Sequence, residues 1–176
     1  MNVPLDKLTD RDPKLITCIV IHHSVAKPTL DIEEIAVEEI ASQGFVTVGY
    51  NAYVKDAGIS WVVQIGRPID KLPAAQYGMN EEGYAICLGG NYHPGGASFV
   101  TPVSQNALNL IALHIKAVKA KAPNLKYLIG HRDVATIKQH LGQNPSEFST
   151  ACPGDLLYAK LDDLRAATGL AKWPGL

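Results

Sequence analysis

The sequence has few cysteines, almost no net charge and no long apolar run, and each deficit excludes a class of protein. Three cysteines among 176 residues cannot all pair within the chain, so a disulfide-rich scaffold is excluded and at least one thiol is free or metal-bound. Sixteen basic against seventeen acidic residues give a net charge of -1, which argues against nucleic acid as a partner. No stretch approaches the ~20 apolar residues of a membrane helix, so no membrane insertion is expected.

The rest of the composition is that of an ordinary globular protein. Hydrophobic residues make up 47% of the chain and charged residues 19%, which excludes a disordered chain. The sequence contains no internal repeat and no linker that would divide it. We therefore expect a single domain over residues 1–176, with its core at about 15–168, and a monomer.

Hydrophobic patterning predicts an α/β fold with a mixed central β-sheet flanked by α-helices. The predicted strands are 15–21, 50–55, 60–65, 84–88 and 126–130. The predicted helices are 29–43, a long helix with Thr101 as N-cap that ends before Pro123, and a closing helix at 154–168. The short turn at 56–58 favours a hairpin, whereas other strands are separated by helices, so the sheet should be mixed.

Three side chains of the types that bind zinc follow buried strands or lie in a tight turn. His22 and His131 stand at the ends of two predicted strands, and Cys152 lies in the turn TACPGD. Two imidazoles and a thiolate make a catalytic zinc site, in which a fourth position stays open for water. Taken singly, each histidine also fits a structural role and Cys152 fits a buried apolar thiol.

The order of five motifs sharpens this interpretation. They are IVIHHS, VGYNAYV, GMN followed by YAICLGG, LIGHRDV and TACPG, between about Cys18 and Gly154. In this order they resemble the type 2 N-acetylmuramoyl-L-alanine amidases, a family that includes short phage lysozymes and peptidoglycan-recognition proteins. The resemblance implies an amidase that uses Zn2+ to cut the bond between N-acetylmuramic acid and L-alanine in peptidoglycan.

The resemblance also implies roles for individual residues. His22, His131 and Cys152 correspond to the zinc ligands, and Tyr50 to a tyrosine that polarises the scissile carbonyl. Thr150 stands where the phage type has lysine and recognition proteins have threonine, so it is a second catalytic candidate whose role stays open: a hydroxyl donates a hydrogen bond but carries no charge.

Three further residues are assigned to the surroundings of the substrate: Gln76, Asn80 and His23. Gln76 replaces a histidine of many relatives, and Asn80 keeps the family's residue. Adjacent strand residues point to opposite faces, so His23 is not expected to share an ion with His22; it packs behind the site or contacts substrate. A related subgroup has a glutamate in the strand that here reads YAICLGG, where this chain has no carboxylate.

Two rival functions follow from the same family: a peptidoglycan-binding module without catalysis, and a cytosolic enzyme of wall recycling. Non-catalytic relatives lack the cysteine ligand, so Cys152 favours an enzyme. A structural zinc site would need a fourth ligand. The segment 132–151 is interpreted as an insertion at the rim of the groove. The N-terminal residues contain no apolar run of signal-peptide length, so we expect an endolysin made in the cytoplasm that reaches the cell wall through a partner holin.

Overall fold

Five strands form one mixed sheet in the computed structural model, which describes residues 4–95 and 99–176. The strands are β1 (Cys18–His23), β2 (Ala52–Asp56), β3 (Trp61–Ile65), β4 (Gly83–Leu88) and β5 (Tyr127–Gly130). Their order across the sheet is β3-β2-β4-β1-β5, and only the β2–β3 hairpin is antiparallel. The predicted mixed sheet and its hairpin are therefore confirmed.

Helices cover both faces of this sheet. They are α1 (Ile32–Gln43), α2 (Gln105–Lys119), α3 (Asp133–His140), α4 (Asp155–Tyr158) and α5 (Leu161–Thr168), with short 3-10 turns at Leu5–Lys7, Pro13–Leu15 and Pro145–Phe148. One face packs against α2, α4 and α5, and this side holds the largest apolar cluster. The other face packs against α1 and α3 in two smaller clusters. None of the helices in the described residues is long and apolar enough to cross a membrane.

Side-chain alternation along the strands decides which residues reach which face. In β1, Ile19 and Ile21 belong to the core under α2, whereas Cys18 and Val20 belong to the side of α3. In β5, Leu128 and Ile129 divide in the same way. Because strand side chains alternate with a period of two, His22 falls on the face of α1 and α3.

Several predicted boundaries were wrong for local reasons. Helix α2 begins after Ser104, whose hydroxyl oxygen accepts from the Ala107 amide, while Thr101 accepts a hydrogen bond from the Asn91 amide instead of capping the helix. Strand β1 begins at Cys18 because Pro13–Leu15 forms a 3-10 turn, and it continues through His23.

Two helical segments also differ from the prediction. The closing segment 154–168 divides into α4 and α5, which leaves Leu156 38% exposed while Leu157 and Leu161 are buried. Helix α3 lies within the segment expected to be an insertion, where a weak apolar pattern of Val134 and Ile137 gave no clear helix signal.

Candidate metal centre and active site

The register of β1 and β5 brings His22 and His131 together. The two strands are parallel, with Ile21 opposite Gly130, and the His131 amide donates to the Ile21 carbonyl. The residue after Ile21 and the residue after Gly130 are both histidines, and both lie on the face of α1 and α3. Their ring centroids lie 4.5 Å apart.

Cys152 completes a cluster of three donor atoms. Its Sγ lies 3.7 Å from Nδ1 of His22, and the ligand atoms of His22, His131 and Cys152 all lie within 4.8 Å of one another. Zinc bonds of about 2.0 Å to nitrogen and 2.3 Å to sulfur, at the tetrahedral angle, require a separation of about 3.5 Å between the two atoms. The donor set therefore fits a zinc ion in type, and the separation of His22 and Cys152 fits it in distance.

Burial keeps all three groups uncharged in the absence of a cation. Desolvation, followed by the charge of His131, holds the pKa of His22 well below its usual value, and desolvation lowers the pKa of His131 to about 4. Desolvation also raises the pKa of the Cys152 thiol to about 12. Neutral imidazoles present lone pairs at any ordinary pH, whereas a thiolate here needs a positive charge beside it, which a bound metal supplies.

Gln76 selects which nitrogen of His22 faces the cluster. The Gln76 side chain is completely buried, and its Oε1 lies 3.1 Å from Nε2 of His22. The amide carbonyl accepts a hydrogen bond, so Nε2 carries the proton and Nδ1 keeps its lone pair toward Cys152. The structure thus places Gln76 beneath His22, with an exposed fraction of 0%, and its contact with the substrate stays a prediction.

The turn that carries Cys152 is shaped by its neighbours. The hydroxyl oxygen of Thr150 accepts from the Cys152 amide at 3.1 Å, and the Cys152 carbonyl accepts from the Arg132 amide at 2.8 Å. Gly154 ends the turn with a φ of 83° and lies against the backbone of Tyr92. These contacts tie the cysteine to β5 on one side and to the loop after β4 on the other.

Replacing Gly154 by alanine is expected to destabilise the fold by about 1–3 kcal/mol and to weaken zinc binding. A Cβ at this position would lie 2.4 Å from the Tyr92 carbonyl carbon, so the turn of Cys152 must shift. Gly142→Ala is the matched control: its φ is also positive, at 78°, but a Cβ there meets no atom within 4 Å among the described residues. Urea unfolding and zinc titration check both variants, and equal effects would show that the contact with Tyr92 is irrelevant.

Tyr50 stands beside the cluster, and Thr150 also borders it. The ring of Tyr50 lies 5.4 Å from that of His22. Desolvation, with smaller contributions from Cys87 and Glu39, raises the pKa of Tyr50 well above its usual value, so the phenol remains a hydrogen-bond donor at neutral pH.

The remaining predicted residues lie around this centre. Nδ1 of His23 accepts from the Tyr92 amide on the opposite side of β1. Asn80 accepts through Oδ1 from the amides of Ala75 and Gln76 and so shapes the loop that carries Gln76. Asp133, two residues after His131, accepts from the Gly130 amide and from the Tyr158 hydroxyl.

Two cavities meet at the cluster. The first, about 590 Å³, runs between α1 and the 3-10 turn Pro145–Phe148, and the second, about 510 Å³, extends toward the loop after β4. Tyr50, His131 and Thr150 line both cavities. Part of the segment 132–151 does line the first cavity, through residues 147–150.

Sequence reasoning missed Glu39, which lines the first cavity from α1. It follows Ile32 and Ile35 on the inward stripe of that helix, so a carboxylate interrupts an apolar pattern. That interruption was the signal that could have identified it.

Comparisons with known proteins agree with this architecture. Among solved structures, the amidase LysC from Clostridium intestinale superposes with a TM-score of 0.69 at 20% identity, covering 93% of this chain and 91% of that one. Bumblebee PGRP-SA gives 0.70 at 21% identity over 93% and 89%. The Ph2119 endolysin of a Thermus scotoductus bacteriophage gives 0.64 at 18% identity over 92% and 89%. No curated protein sequence matched the chain significantly.

These structural likenesses, at such low identity, establish the fold. The family itself is established by the sequence, since residues 11–155 match the model described as N-acetylmuramoyl-L-alanine amidase. That span includes β1 through β5 and the turn of Cys152. The chain therefore belongs to the N-acetylmuramoyl-L-alanine amidase family.

Proposed function

We propose that the chain is a zinc-dependent hydrolase of the amide bond between N-acetylmuramic acid and L-alanine in peptidoglycan. The observation that carries the proposal is the cluster of His22, His131 and Cys152, whose ligand atoms lie within 4.8 Å at the junction of two open cavities. A structural zinc site needs four ligands, and no further histidine, cysteine or carboxylate joins this cluster in the described residues.

The protein's own residues prepare the site for attack on a carbonyl. Zinc in such a site supplies Lewis acidity and lowers the pKa of water from 15.7 to about 7. Gln76 holds His22 in the tautomer that leaves Nδ1 available. The Tyr50 hydroxyl is the donor for the carbonyl oxygen as it gains charge, and its raised pKa keeps that proton in place.

Thr150 contributes differently. Its hydroxyl oxygen accepts a hydrogen bond from the Cys152 amide and so helps to fix the turn that carries the thiol. The hydroxyl hydrogen remains available to an oxygen of the substrate. Lacking a charge, it gives less stabilisation to an oxyanion than a lysine would.

The deciding experiment digests defined muropeptides with the zinc-loaded protein and measures the masses of the fragments. An amidase releases an intact stem peptide with a free N-terminal alanine and leaves the lactyl group on the sugar. Muramidase or endopeptidase products would contradict the assignment.

A peptidoglycan-binding module is the alternative supported by the similarity to PGRP-SA. Such a module binds muropeptides and leaves them intact. Binding without new N-terminal alanine in the zinc-loaded protein would therefore replace the enzyme proposal with this one.

We further propose that the chain acts as an endolysin on the cell wall, since solved amidase structures with this fold are named as endolysins. Expression inside bacteria should cause lysis only when a holin is co-expressed. A role in wall recycling predicts growth without lysis in both cases.

A further inference from the structure

Helix α1 places a carboxylate against the segment that presents Tyr50. Oε2 of Glu39 accepts a hydrogen bond from the Gly49 amide at 2.7 Å, and Glu39 also lines the first cavity. Gly49 packs closely here, because a Cβ would lie 2.8 Å from the Ala74 carbonyl oxygen. The lack of a side chain at Gly49 thus lets the chain pass between α1 and the loop of Ala74.

Burial and nearby groups act on the Glu39 carboxyl. Burial raises the pKa of Glu39, and the hydrogen bond from the Gly49 amide opposes that rise. The charges that face this carboxyl are those of Arg67, which stabilises the anion, and Glu38, which disfavours it. Glu39 therefore holds the backbone amide of Gly49, the residue directly before Tyr50.

The segment needs such a restraint because Tyr50 precedes β2 and lies outside the sheet ladder. Its carbonyl accepts from the Arg67 amide at 3.0 Å, and the Gly49 carbonyl accepts from the Ala74 amide at 2.8 Å. These bonds fix the backbone on one side only. The contact from α1 supplies the other side.

We propose that Glu39 is a positioning residue of the amidase site, which holds the Gly49–Tyr50 segment and aims the Tyr50 hydroxyl at the mouth of the metal cluster. The inference rests on the proposed function. It places a carboxylate beside the site on α1, whereas the segment YAICLGG, which includes most of β4, contains no carboxylate. Glu39 acts through Tyr50, so its removal should alter turnover and leave the zinc ligands intact.

The first measurement is independent of catalysis. Backbone amide exchange of the full chain, followed by NMR, should be about 10-fold faster at Gly49 in Glu39→Ala, since one charge-assisted hydrogen bond is lost. Glu39→Gln keeps an acceptor oxygen and should restore most of the protection. Val37→Ala is the control on the same helix: its side chain is 68% exposed, and Gly49 exchange should stay as in wild type.

The second measurement is a double-mutant cycle on muropeptide turnover. Glu39→Ala should lower kcat about 10-fold with little change in KM or zinc content, because a misaimed donor affects the transition state. In a Tyr50→Phe background the same change should cost less than about 2-fold, because the group that Glu39 positions is already gone. Val37→Ala should show no such coupling to Tyr50→Phe.

The results separate this inference from the proposed function. Unchanged Gly49 exchange in Glu39→Ala, or full additivity with Tyr50→Phe, would overturn the positioning role. If the wild-type protein gives no amidase products while Gly49 exchange still responds to Glu39→Ala, the proposed function fails, the catalytic role falls with it, and the hold on Gly49 stands as structural.

Discussion

Replacing Cys152 by alanine should abolish stoichiometric zinc binding and lower amidase turnover by at least about 1,000-fold, because the metal's Lewis acidity is lost with its thiolate ligand. Two histidines remain within reach of each other, but they offer only neutral donors and no charge to offset the cation. Metal content measured by mass spectrometry and fragment masses from muropeptides check the two effects together.

The control for this variant is Cys18→Ala. It removes another buried thiol, from the same strand as His22 but in the cluster beneath α3, so zinc content and turnover should stay at wild-type values. Cys152→Ser tests folding with a side chain of similar size. One zinc per chain and normal turnover in a folded Cys152 variant would end the proposed site.

The two histidines proposed as ligands should behave in the same way. His22→Ala and His131→Ala should each lose zinc and activity, whereas His140→Ala, at the exposed end of α3, should lose neither. Treatment of the wild-type protein with a chelator should reproduce the loss, and added zinc should reverse it. Activity that survives complete zinc removal would contradict a metal-dependent mechanism.

Tyr50→Phe is expected to lower kcat about 100-fold and to leave KM and zinc content nearly unchanged. The substitution removes only the hydroxyl, which in the proposed mechanism donates to the carbonyl oxygen as it gains charge and is not among the groups proposed to hold the metal. Its ring remains beside His22, so the pocket keeps its shape. Steady-state kinetics on a defined muropeptide measure the split between kcat and KM.

Tyr127→Phe provides the comparison for Tyr50→Phe. Tyr127 lies on β5, packs against Trp173 and lines neither of the two cavities. Loss of its hydroxyl should leave kcat as in wild type. Equal turnover of Tyr50→Phe and wild type would remove the tyrosine from the mechanism. A parallel loss of zinc would instead show that Tyr50 supports the metal cluster.

Most of the sheet could be predicted because its strands are short, apolar and bounded by strong turn signals. The hairpin of β2 and β3 follows from that pattern, and only boundaries shifted. Helix starts were less predictable. Thr101 and Ser104 are both good caps, and the structure uses Ser104 because Thr101 is bound to Asn91 across the loop.

The candidate ligands could be named in advance because five motifs occur in the order of the amidase family, and metal chemistry restricts ligands to a few residue types. The contacts that support these ligands could not be named in advance. Gln76 is 54 positions away from His22 in the sequence. The contact between them depends on how the loop that contains Ala75 and Asn80 folds.

The sequence by itself determined the family, the mixed sheet and the identity of His22, His131 and Cys152 as candidate ligands, because local patterns and residue chemistry express these directly. Only the tertiary structure decided that the three donor atoms converge, that Gln76 sets the tautomer of His22 and that Glu39 accepts a hydrogen bond from the Gly49 amide. These contacts depend on the packing of α1, α3 and the intervening loops on one face of the sheet, and such packing is a collective result of the whole core that no short stretch of sequence encodes.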